Sequence, residues 1–177
     1  LPMNGEEVDV EEFKRMIDAY MDAGFNYFDT AHGYVSQKSE TALKECLVSR
    51  YPRDAYILTN KLTGNFFKTK EEIRPLFELQ LERCGVEYFD YYLMHAQDRD
   101  HYAHFQKCEA YEVAQELKKE GKVKHVGLSF HDTADVLDMI LTEHPEVEVV
   151  QIQFNYMDYT SPSVQSKEVY EVCRKHH

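Results

Sequence analysis

Tyr, Lys, Asp and His stand in this chain with a spacing that suits proton transfer to a polarised oxygen. Asp29 closes the apolar run FNYFD, Lys61 closes AYILTNK, His95 closes DYYLMH, and Tyr34 follows Asp29 by five positions. A free tyrosine, with a pKa of ~10, is a weak acid near neutrality. An ammonium ~4 Å from a phenol stabilises the phenolate by ~4 kcal/mol at an effective dielectric of ~20, which lowers such a pKa by about 3 before desolvation reverses part of it. Asp29 would keep Lys61 charged and aimed, and His95 would hydrogen-bond a carbonyl or relay a proton. The set lacks a Ser nucleophile with a paired base and lacks the paired carboxylates of glycoside hydrolysis. A metal site on Asp29, His32 and His95 would want further ligands, such as an H-x-H strand or a Glu cluster, so no metal is expected and His32 reads as a rim residue.

The elements that must position these groups are short strands. Ser129 closes HVGLS and Gln151 lies in VVQIQ, so five run ends follow one another at gaps of 32, 34, 34 and 22 residues, each gap holding one helix-like segment. A (β/α)₈ barrel of ~250 residues spends ~31 residues per unit and carries its chemistry at the C-terminal strand ends. Helices are expected over 9–23, 38–50, 69–84, 106–120, 132–144 and 164–176, with strands at 25–30, 55–61, 89–95, 125–130 and 147–154. Asp9 with Glu12 and Thr69 with Glu72 resemble capping boxes, Gly24 and Gly85 suit helix C-termini, and Pro75 predicts a kinked or separate first turn. The alternation implies parallel pairing. A complete five-stranded doubly wound sheet would bind phosphate on a Gly-rich loop, but the chain has 7 glycines and no such loop. The expected fold is therefore an incomplete (β/α)₈ barrel: one domain over 1–177, roughly strands two to six, opening inside a helix, with about one strand before Leu1 and two after His177.

The formal net charge of −12 argues against nucleic acid, whose phosphates need Lys and Arg. An anionic cofactor would need a local positive patch. No apolar stretch approaches the ~20 residues of a membrane span, so no membrane partner is expected. The cysteines, Cys46, Cys84, Cys108 and Cys173, form no C-x-x-C pair and fall in predicted helices. They read as buried thiols of a reducing, cytoplasmic compartment. His101, His104 and Lys107 suggest a loop at the pocket rim, with Phe154, Tyr156 and Tyr159 on its other side or packed on the next helix. Oligomeric state is not legible.

FDTAHGY at 28–34, KSE at 38–40, TNK at 59–61, LMH at 93–95, GKVKHVGLS at 121–129 and VVQIQFNY at 149–156 resemble the aldo-keto reductases. The resemblance implies a barrel that reduces aldehyde or ketone carbonyls of small molecules with hydride from a nicotinamide cofactor, NADP(H) or alternatively NAD(H). It implies a catalytic set of Asp29, Tyr34, Lys61 and His95, with Tyr34 as proton donor. Ser129 and Gln151 would hydrogen-bond the nicotinamide carboxamide, and Asp29 and Thr30 would lie beneath its ribose. Phe130 and His131 follow the serine where the family commonly has Asn, which removes one amide contact. LSFH and QIQFNYMD are similar to a prokaryotic predicted-oxidoreductase branch, some members of which carry a C-terminal iron–sulfur extension. Residues 1–177 supply no such ligands, so a cluster would belong to a segment outside this chain. A non-catalytic nucleotide-binding regulatory protein on the same fold is the alternative function.

Overall fold

The computed structural model describes residues 1–176. A hairpin of β1 (Met3–Asn4) and β2 (Glu7–Val8), turning at Gly5 with φ +63°, precedes α1 (Val10–Asp22). The chain thus opens in a hairpin and not in the expected helix. Asp9 caps α1 by accepting the Glu12 N–H at 3.0 Å, which satisfies one of the donors a helix start leaves free. Then follow β3 (Tyr27–Asp29), α2 (Ser39–Leu43) running into a π-helical turn at Lys44–Val48, β4 (Ile57–Leu62), α3 (Lys70–Cys84), β5 (Phe89–Gln97), α4 (Arg99–Lys107), α5 (Ala110–Lys119), β6 (Val123–Phe130), α6 (Ala134–Glu143), β7 (Val149–Ile152) and α7 (Ser166–His176).

The five longer strands form one parallel sheet in the order β3-β4-β5-β6-β7. Parallel neighbours in sequence order, each followed by a helix, make this part of a (β/α)₈ barrel. One face packs on the helices: Leu58, Leu62, Tyr92, Met94, Val126 and Leu128 are buried there with Leu47, Phe77, Leu117, Leu137 and Ile140. Each such side chain contributes roughly 1.5–3 kcal/mol by leaving water. The other face carries the alternate residues, because side chains switch face at every step. Asp29, Thr59, Tyr91 and His125 form one row across it, and Lys61, Leu93, Gly127 and Val149 the next. Gly127 has no room for more: a Cβ there would lie 2.3 Å from the Val149 carbonyl oxygen.

Four further expectations change. The helix expected at 106–120 is two helices, α4 and α5, broken at Cys108 and Glu109, whose φ of 51° is left-handed. The His101–Lys107 stretch is therefore a helix and not a loop, anchored by buried Tyr102 and Phe105. Helix α3 runs through Pro75 unbroken; the N–H that proline lacks would have met Glu71, an exposed residue whose carbonyl water can serve. The side chain of Thr69 makes no cap bond, and Glu72 accepts the N–H of Lys68, one residue before the cap, at 2.7 Å, so the expected box does not form. No helix among the described residues is long and apolar enough to cross a membrane.

Candidate active site

Asp29, Lys61 and His95 leave three adjacent strands at their C-terminal ends, on the same face, and Tyr34 stands in the turn that follows β3. Lys61 is 1 % exposed, so its ammonium must find its partners in the protein. Nζ lies 2.6 and 2.5 Å from the two Asp29 oxygens, 3.1 Å from the Thr30 carbonyl and 3.3 Å from the Tyr34 hydroxyl. An ammonium has three protons and accepts nothing. One carboxylate, one carbonyl and one phenol use all three. The Tyr34 oxygen must accept from Lys61, so its own proton is free to point into the mouth, where Tyr34 is 38 % exposed.

Beside it, His95 sits at a β-bulge. The β5–β6 register shifts between Met94 and Gln97, and Ala96 takes a φ of 53°. The Ala96 N–H, lost from the ladder, donates to Ser129 Oγ at 2.8 Å, and Gln97 Nε2 donates to the His95 carbonyl at 3.1 Å. The bulge turns the imidazole so that its ring meets Tyr34 edge-on at 5.6 Å, while Nδ1 faces Thr63 Oγ1 at 2.7 Å. Burial, then the Lys61 charge and the nearby His131 and His101, push the His95 pKa down to about 4. The ring is neutral at pH 7.

A second, buried network braces the turn that carries Tyr34. Glu40 is wholly buried and accepts from His32 Nδ1 at 2.9 Å, Asn60 Nδ2 at 3.0 Å and Arg83 Nε at 2.8 Å. Arg83 also donates to the Gln37 carbonyl. Asn60 Oδ1 in turn accepts the Lys61 N–H at 2.8 Å, and Gln80 Nε2 bonds both Asn60 Oδ1 and the Lys61 carbonyl. This brace holds Val35, Ser36 and Gln37, at φ 51°, 50° and 66°, in left-handed backbone that a β-branched residue such as Val35 rarely adopts. His32 is 3 % exposed and turned to Glu40, so it is neither a rim residue nor a companion of Asp29 and His95.

Ser129 and Gln151 are register partners on adjacent strands at the same mouth. Ser129 Oγ already accepts the Ala96 N–H, which leaves its hydroxyl proton to donate. A hydroxyl beside a primary amide suits a carboxamide, which has one acceptor and one donor group. Thr30, by contrast, is buried, its hydroxyl 2.7 Å from Ser39 Oγ, and offers the site its carbonyl to Lys61. Phe130 alternates to the helix-facing core, and His131 lies exposed past the strand end. Phe154 packs on Tyr159 and Tyr170 of α7, while Tyr156 projects into solvent. Sequence reasoning missed Thr63, Glu40 and Arg83. Glu40 in KSE was the one visible signal, an acid just inside a helix start.

The family model described as Aldo/keto reductase family matches residues 2–177. The NADH-specific methylglyoxal reductase of Escherichia coli (strain K12) is 25% identical over 89% of this chain and 52% of its own length. An aldo/keto reductase structure from Brucella melitensis shares 26% identity at a TM-score of 0.71, covering 95% of this chain and 61% of the other. The Klebsiella pneumoniae aldo-keto reductase in complex with NADPH, at 20% identity and a TM-score of 0.73, covers 94% of this chain and 55% of the other, and shares the fold. The chain spans about half the length of the curated relatives it matches.

Proposed function

The chain belongs to the aldo/keto reductase family, and on that premise we propose that it carries the acid–base half of an NAD(P)H-dependent reductase of small aldehydes or ketones. The observation that carries this reading is the saturated Lys61 ammonium, which orients the Tyr34 hydroxyl as a donor. Tyr34 gives its proton to the carbonyl oxygen. Lys61 holds the phenolate left behind, and Asp29 holds Lys61. Neutral His95 positions the same oxygen. The nicotinamide, when bound, supplies the hydride. Ser129 and Gln151 would hold its carboxamide at the strand ends, and Asp29 with Thr30 would lie under its ribose.

NADP(H) is the first choice of cofactor and NAD(H) the second; the relatives' names include both NADPH and NADH. We read residues 1–177 as one domain, strands two to six of the eight-stranded barrel, in a cytoplasmic protein. An iron–sulfur cluster would belong to a segment outside these residues.

The test is Tyr34→Phe, assayed by NADPH and NADH oxidation with small aldehydes. Removal of a positioned general acid lowers turnover by roughly 10²–10⁴-fold. Undiminished turnover in Tyr34→Phe would end the assignment of Tyr34 as proton donor, and tight cofactor binding with negligible turnover in both proteins would replace the catalytic reading with the regulatory one.

A further inference from the structure

We propose that Thr63 is a positioning residue that sets the proton on His95: its hydroxyl donates to Nδ1 and holds the neutral ring in the form with hydrogen on Nε2. The choice of tautomer rests on the reductase reading, which brings a carbonyl oxygen to Nε2. Thr63 lies one residue past β4, and its Oγ1 is 2.7 Å from Nδ1. At that separation the hydroxyl can donate to a bare Nδ1 or accept from an Nδ1–H, so the choice is made by what Nε2 must face.

A neutral imidazole has one N–H and one bare nitrogen, and the contact at one nitrogen decides the state of the other. The ring has little freedom to choose otherwise. The bulge fixes its backbone, Ser129 Oγ holds the Ala96 N–H and Gln97 Nε2 the His95 carbonyl, and the Tyr34 ring packs edge-to-face with it. Lys61, His131 and His101 are the cationic or titratable groups that bear on it, and with burial they keep the ring uncharged. Were Nδ1 to carry the proton, the bare Nε2 lone pair would confront the lone pairs of a carbonyl oxygen. With Thr63 donating, His95 and Tyr34 both present hydrogen to one oxygen.

The experiment is a long-range ¹H–¹⁵N correlation spectrum of the ¹⁵N-labelled chain at pH 7. His95→Gln identifies the His95 signals among the nine histidines. The unsubstituted protein and Thr63→Ser should show a protonated Nε2 and a bare Nδ1. Thr63→Val, which is the same shape without the hydroxyl, should populate the other tautomer. Its kcat/KM for aldehyde should fall about ten-fold, the worth of one neutral hydrogen bond, with Thr63→Ser near the unsubstituted value. A protonated Nδ1 in the unsubstituted protein, or the same spectrum in Thr63→Val, overturns the proposal. The spectrum decides this point whether or not the protein turns over, so it is separable from the Tyr34→Phe result.

Discussion

At the scale of residues, the site is governed by who can donate and who can accept. Lys61 only donates and has no proton to spare, so Tyr34 is left as the one mobile-proton donor of the pair. His95 is held uncharged by burial and by that same ammonium, with a pKa of about 4 against an ordinary 6.5. Its imidazole should titrate in the NMR spectrum near pH 4, and a midpoint above 6 would contradict the geometry. The sign for stability follows. The unfolded chain takes a proton on His95 below about pH 6.5, and the folded chain refuses it until about pH 4. Between those values the unfolded state binds more protons, so this residue's contribution falls as pH drops through the window and is level below it. Urea melts of the unsubstituted protein and His95→Gln should show the former losing ground to the latter from pH 7 to 4. The meeting of Asp29, Tyr34, Lys61 and His95 was legible in the sequence because each closes or follows an apolar run. Thr63 was not, because nothing local says that a threonine past one strand will meet a histidine 32 residues away.

At the scale of elements, the bulge in β5 aims His95, and it depends on a hydroxyl from β6. Ser129→Ala removes the acceptor of the Ala96 N–H and leaves that donor without a partner in a part-buried position. A loss of about 1–3 kcal/mol is expected. Since the chain has no Trp, urea denaturation followed by far-UV circular dichroism is the measurement. Unchanged stability would mean that strand pairing alone holds the bulge. The strand order, the helix alternation and the shared face of the run ends could all be read from periodicity. The bulge could not, since it is marked by Ala96, which has no special liking for left-handed backbone. The break between α4 and α5 was hidden likewise. Cys108 and Glu109 carry no glycine or proline, and the break is imposed by Tyr102, Phe105 and Tyr111 each reaching the core.

At the scale of the whole molecule, β3 and β7 each have one strand neighbour, so each offers an unpaired side. Phe25 and Tyr27 stand exposed by one, and Phe154, Tyr156 and Met157 beyond the other. Unpaired strands beside apolar side chains invite association. The 177-residue chain should self-associate with rising concentration in light scattering, and Tyr27→Lys should reduce it; a monomer at all concentrations would show that these sides are protected by their own twist. The β3 side also borders a cavity of about 520 Å³ lined by Leu1, Met16, Tyr27, Asp29 and Tyr34 among others. The phenol thus has protein on one flank and a hollow on the other. A fixed cation 3.3 Å away is felt several times more strongly across a dry gap than across a wet one. The pull of Lys61 on the Tyr34 oxygen is therefore not a property of four side chains alone, but of whatever fills that hollow and keeps the hydration out.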